Sequence, residues 1–209
     1  MSEPLIELRG IVRRFGKPLD VVARFATRFG LDMRDDVMLA VDQVDLAVAA
    51  GEVVGLVGES GCGKSTLGRI VSGILTPSEG SVRFRGTDIG ALEPSAWRNY
   101  MLKVQMIFQD PFASLNPRQR VADIIGEAPR VHGVWSSDEV KDRLDEVMQR
   151  VGLDPTFKSR YPHQFSGGQR QRICIARALA VRPDFLVCDE AVAALDVSIQ
   201  AQILNLFVR

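Results

Sequence analysis

The chain has 209 residues, 46% hydrophobic and 25% charged, a balance that suits one globular domain with a sizeable core. Its 26 Lys and Arg offset 26 Asp and Glu, which leaves no net field to draw it to nucleic acid or to an acidic membrane surface. Apolar runs such as Phe185 to Cys188 fall far short of the roughly 18 to 20 residues that span a bilayer, and Met-Ser-Glu-Pro opens no secretory leader.

Taken in chain order, Leu5 to Leu8 alternates weakly and reads as a short strand. The segment 16–36 reads as an insertion, with Val21, Val22, Phe25 and Phe29 on one face of a possible short helix. Val41 to Val48 alternates again. After a turn at Ala49 to Glu52, Val53-Val-Gly-Leu-Val57 is a compact apolar run that predicts a buried parallel strand. Lys64 to Leu75 predicts a helix, and Ser81 to Arg85 and Val104 to Phe108 predict strands, the second one buried. Ser136 to Val151 carries a capping box at Ser136 and Glu139, an apolar face of Val140, Leu144, Val147, Met148 and Val151, and Gly152 as its stop. A further helix opens at Ser166 with Gln169 three residues on and stops near Pro183. Phe185 to Cys188 is a strand, and Val197 onward has helical spacing through Phe207. The chain is therefore expected to end inside a helix.

Three stretches carry chemistry. In Gly58-Glu59-Ser60-Gly61-Cys62-Gly63-Lys64-Ser65-Thr66 the glycines let backbone N–H groups turn inward around phosphates, and the following helix aims its positive end at them. Lys64 is expected to reach the β- and γ-phosphates, and the Ser65 hydroxyl to hold Mg²⁺. Phe185-Leu-Val-Cys-Asp189-Glu190 is a strand that would deliver Asp189 to the metal, with Glu190 placed to polarise an attacking water. Ser166-Gly167-Gly168-Gln169 is a second anion site: a hydroxyl, two glycines and a helix N-terminus, placed 23 residues before Asp189. The three cysteines are odd in number and form no Cys-x-x-Cys pair. Cys174 and Cys188 read as packed thiols, and Cys62 as a small residue that fits the loop. His163, in a Pro-His-Gln turn, reads as a surface or packing histidine.

The order of these motifs resembles the ATP-binding subunit of an ABC transporter. Gln109-Asp-Pro-Phe-Ala-Ser-Leu-Asn-Pro-Arg118 and Tyr161-Pro-His-Gln-Phe-Ser-Gly-Gly-Gln-Arg-Gln-Arg172 resemble the subunits that drive oligopeptide, dipeptide and nickel importers. The resemblance implies an α/β P-loop NTPase fold with a mostly parallel core sheet, an antiparallel N-terminal β subdomain and a helical signature subdomain near 110–182, all within one domain, 1–209. It implies ATP and Mg²⁺ as ligands, with Gln109, Asp189 and Ser65 on the metal and Glu190, Gln109 and Lys64 in catalysis. It places Phe15 against adenine, and it places Ser166, Gly167, Gly168, Gln169 and Asp196 at the nucleotide of a second, identical or homologous subunit in a head-to-tail dimer. It further implies integral membrane permease partners, a peripheral place on the cytoplasmic face and no nucleic acid.

Two departures bear on function. Ala191-Val-Ala-Ala-Leu-Asp196 stands where the family writes Pro-Thr-Ser-Ala-Leu-Asp, so Ala194 lacks a serine hydroxyl and Ala194→Ser should raise ATPase activity. Arg209 falls before the strand that the family ends on its switch histidine. The sequence as it stands is therefore expected to be incomplete and poorly stable, with unpaired backbone groups at about 1–3 kcal/mol apiece. A truncated fragment that binds nucleotide without hydrolysis is the alternative reading, and a soluble ABC ATPase a weaker one.

Overall fold

A computed structural model describes residues 3–16 and 37–190. The insertion after Gly16, Asp196, the Ala191 to Leu195 departure and the terminal helix lie outside the described residues. The chain divides into two compact units, residues 1–92 and 93–209.

The first unit is built on a four-stranded antiparallel sheet. Its strands are β1 (Ile6–Phe15), β2 (Met38–Val48), β3 (Glu79–Phe84) and β4 (Thr87–Asp88), in the order β2-β1-β3-β4. In β1, Ile6 and Leu8 point into the core while Glu7 and Arg9 point away, as a period of two requires. The register slips between Leu8 and Ile11, and there the Gly10 N–H donates to Asp45 Oδ1 at 2.7 Å. β1 thus runs well past the expected Leu8. The helix α1 (Lys64–Val71) buries Leu67, Ile70 and Val71 on one face and ends at Val71, four residues short of the expected Leu75, with Ser72 as its C-cap. The Ser72 hydroxyl donates back to the Gly68 carbonyl at 2.8 Å.

One expectation is overturned in this unit. Val53 to Val57 joins no strand ladder among the described residues and is solvent-exposed, with Val53 at 73% and Val57 at 99%. A buried parallel strand exists only where neighbours pair with its backbone and cover both its faces, and this run has neither.

In the second unit, α2 (Pro94–Lys103) leads into β5 (Val104–Ile107), followed by α3 (Pro111–Ser114), α4 (Val121–Val131), α5 (Val140–Arg150), α6 (Gly167–Ala180) and β6 (Phe185–Cys188). β5 and β6 pair in parallel, from Val104 opposite Phe185 to Ile107 opposite Cys188. Ile124 and Ile125 of α4, Leu144, Val147 and Met148 of α5, and Ile173, Cys174 and Ile175 of α6 form one core with Ile107 and Trp135. Each such aliphatic side chain contributes about 1.5–3 kcal/mol on burial.

α5 begins four residues later than its capping signal suggested. The Ser136 hydroxyl and N–H both reach Glu139 Oε2, at 2.8 and 3.3 Å, while the Glu139 N–H goes to the Ser136 carbonyl at 3.1 Å. The serine therefore donates to the glutamate instead of capping its N–H, and a turn precedes the helix. Those bonds, chiefly from the hydroxyl, together with the Arg143 guanidinium, hold the Glu139 carboxyl below its usual range.

Candidate functional site

The expected phosphate loop, Gly58 to Thr66, runs into α1 as its motif requires. Gly63 is the N-cap of that helix at φ 95°, and a Cβ there would lie 2.2 Å from the Ala40 carbonyl oxygen. Only glycine fits, for reasons of both conformation and space. At Gly58 a Cβ would meet Cys62 Sγ at 2.7 Å. Lys64 folds back over the loop, its ammonium donating to the carbonyls of Gly58 at 2.8 Å and Glu59 at 2.6 Å, with Cys62 Sγ at 3.6 Å. The charge is thus held inside the curve of the loop by oxygens that an anion would displace. Glu59, Ser60, Gly61 and Cys62 line the exposed side, and Ser65 and Thr66 are half-buried in the first turn of α1.

The second group of expected residues sits at the ends of β5 and β6. The ladder continues one step past β6, where the Asp189 N–H donates to the Ile107 carbonyl at 3.0 Å. Because Ile107 lies opposite Cys188, two residues further along each strand places Gln109 level with Glu190. Gln109 Nε2 donates to Glu190 Oε2 at 2.5 Å. Glu190 adopts φ 50°, a left-handed conformation that costs a non-glycine residue of order 1–3 kcal/mol and that recurs where a side chain must be aimed. The amide and carboxylate oxygens here are hard donors that fit Mg²⁺. Among the described residues no group of three or more His, Cys, Asp or Glu gathers as an all-protein cage, and a metal that keeps most of its ligands from phosphate and water needs none.

The third group opens α6. Ser166 Oγ accepts the Gln169 N–H at 3.3 Å, and Gln169 Oε1 accepts the Ser166 N–H at 3.0 Å, which completes the expected capping box. The serine hydroxyl accepts in this bond and keeps its own proton to donate. Gly167 is exposed, and a Cβ there would meet nothing within 4 Å. The packing of the described residues therefore leaves room for a side chain at 167.

Other expected residues fall as follows. Phe15 is half-buried at the end of β1, with the Arg13 guanidinium 4.8 Å from its ring centroid. His163 is exposed and lies parallel to the Tyr161 ring at 5.8 Å. Cys174 is buried, and burial pushes its thiol up to about 11. Cys188, expected as a packed thiol, is exposed because β6 pairs on one side only among the described residues, yet the atoms packed around its sulfur still push the thiol up to about 11. Sequence reasoning missed Arg170 and Arg177. Their spacing of seven on a mostly apolar helix places them on one stripe, a signal that was there to be read. It also missed a groove of about 470 Å³ lined by Pro94, Trp97 and Met101 of α2, Gln105 of β5, and Ala128 and His132 at the end of α4.

A glycine loop opening a helix, two acids at the end of a parallel strand beside a glutamine, and a Ser-Gly-Gly-Gln cap define a P-loop nucleotide-binding domain of the cassette type. Comparison with known proteins agrees. The ABC transporter family profile matches residues 41–193, and the chain belongs to that family. It is 48% identical over 208 residues to the oligopeptide transport ATP-binding protein AppF of Bacillus subtilis (strain 168), covering 98% of this chain and 60% of AppF. It is 51% identical over 168 residues to the oligopeptide transport ATP-binding protein OppF of Escherichia coli (strain K12), covering 80% of this chain and 50% of OppF. The chain thus spans about half to three fifths of the length of these relatives. Among solved structures it resembles the dimeric post-hydrolysis state of the ATP-binding cassette MJ0796 bound to ADP and Pi, with TM-score 0.80, 27% identity, and coverage of 97% of this chain and 81% of that one. The fold is the α/β fold of ABC ATPase cassettes.

Proposed function

We propose that the protein is the ATP-binding and ATP-hydrolysing subunit of an ABC importer for oligopeptides or dipeptides, with residues 1–209 belonging to one ATP-binding domain. The observation that carries this reading is the meeting of Gln109 and Glu190 at the paired ends of β5 and β6, next to Asp189. In this reading the backbone N–H groups of Gly58 to Thr66 and the Lys64 ammonium cradle the phosphates, and Phe15 stacks on adenine. Ser65, Gln109 and Asp189 hold Mg²⁺, which neutralises phosphate charge when bound. Glu190 orients and polarises the attacking water. Ser166 to Gln169, with Asp196, face the nucleotide of a second ATP-binding subunit, a role supported by the open space at Gly167.

Peptide cargo is inferred from the names of the relatives. Among the described residues no helix is long and apolar enough to cross a membrane. In the proposed reading, coupling to transport runs through permease subunits, with this chain peripheral on the cytoplasmic face, a reading supported by the transport names of the relatives.

Phosphate release from ATP by the full-length protein, with Mg²⁺ and with EDTA, tests the enzymatic reading: metal-dependent release is expected. Co-purification with a multispanning membrane protein tests the transport reading against a soluble ABC ATPase. A second reading, nucleotide binding without hydrolysis, is favoured by the exposed run Val53 to Val57, which joins no strand ladder among the described residues. Retained ATP binding with no phosphate release would select it.

A further inference from the structure

The helix α6 does more than present Ser166. Arg177 lies half-buried on it and donates through Nη1 to the Ser114 carbonyl at 2.6 Å. Seven residues earlier, the Arg170 guanidinium covers the Phe112 ring at 4.0 Å while its Nε donates to the Pro162 carbonyl at 2.7 Å. Between them Gln171 Nε2 reaches the Phe108 carbonyl at 3.5 Å. Three side chains of one helix therefore hold the backbone and ring on both sides of Gln109.

What they hold cannot hold itself. α3 is a single turn of four residues, far below the length at which a helix is stable alone. Its N-terminus is capped internally, since Asp110 Oδ1 accepts from the N–H groups of Phe112 at 2.8 Å and Ala113 at 3.4 Å. Its C-terminal carbonyl at Ser114 is met from outside, by Arg177. Phe112 is 65% exposed, so the stacking of Arg170 on it adds little to the core. Contacts of this kind fix a position more than they stabilise a fold.

We infer that Arg177, assisted by Arg170, is a positioning residue for Gln109: it ties α3, and with it the loop that carries Gln109, to the helix that opens on Ser166. The loop and the Ser-Gly-Gly-Gln turn then move as one piece. The rate consequence rests on the proposed ATPase reading, whereas the structural consequence does not.

Hydrogen exchange on the full-length protein tests this directly. In Arg177→Ala, amide exchange across Gln109 to Asn116 is expected to rise about tenfold or more, the scale of losing one charge-assisted hydrogen bond, while the amides of α4 and α5 keep their protection. ATP affinity should stay within about twofold and the hydrolysis rate should fall about tenfold or more, because displacement of a water-positioning group acts on kcat. Arg177→Lys retains a donor and should return exchange and rate to within about threefold of wild type. Phe112→Ala, which changes only an exposed ring, should raise exchange in the same segment about two- to fivefold. Unchanged exchange at 109–116 in Arg177→Ala would overturn the inference. So would an equal rise throughout α4, α5 and α6, since Arg177 would then serve the fold alone. If wild type releases no phosphate, the ATPase reading falls, and the exchange result still decides this one.

Discussion

The glycine loop and the ends of β5 and β6 carry the two halves of the proposed chemistry, yet they are supported in opposite ways. The loop is approached by an apolar run with Val57 fully exposed, and its lysine rests on its own loop's carbonyls. Gln109 and Glu190 project from paired strands whose Val104 and Ile107 are each 1% exposed, beneath a core shared by three helices. The loop's shape is written in local residues, glycines and a helix start, and forms wherever that sequence stands. The strand-end pair depends on register between segments some 80 residues apart and on the core that fixes it.

The sharpest way to break this comparison is to place a charge at equivalent valines. Val104→Asp buries a carboxylate and should cost more than about 4 kcal/mol in denaturant unfolding, whereas Val57→Asp should stay within about 0.5 kcal/mol. A large loss at Val57 would show that the run is buried in the working protein and that the contrast is false. Next in size, Lys64→Ala should weaken ATP binding at least about tenfold with the unfolding midpoint unchanged, read by calorimetry. At α6, Ser166→Ala should cost about 1 kcal/mol of stability through the lost cap. Gly167→Ala should leave stability unchanged or slightly raised while weakening ATP-driven pairing of two subunits in sedimentation.

The last effect is confined to alkaline pH. Burial raises the Cys174 thiol to about 11, above its unfolded value near 9. Between these values the unfolded chain has shed a proton that the folded chain keeps, so stability is full below about pH 9 and falls as pH rises through about 11. The Cys188 thiol is pushed up to about 11 in the same way, so Cys174→Ala should remove only part of that slope and Cys174→Ala with Cys188→Ala the rest. In the native protein, thiol titration at pH 8 should find Cys62 open and Cys174 closed.

Much of the site was legible because its signals are local. Ser166 and Gln169 form the capping box their spacing announced, and Gly63 takes the left-handed turn that a loop-to-helix junction demands. Val53 to Val57 was misread because an apolar run states a tendency to be covered, and whether it is covered depends on other segments. Ser136 was misplaced as a cap because its hydroxyl can donate as well as accept. The contact between Gln109 and Glu190 follows from a register that no single segment encodes. Arg177 carries no motif, and its role appears only once α3 is seen to lack any other partner at its C-terminal carbonyl among the contacts described.

The central claim is that the acid paired with Gln109 drives hydrolysis, and Glu190→Gln tests it most directly. The substitution keeps the side chain's size and removes its charge. The variant should bind ATP as wild type does and release phosphate at least about 100-fold more slowly, the scale of losing a general base. Phosphate release at the wild-type rate would contradict the account and move the catalytic group elsewhere.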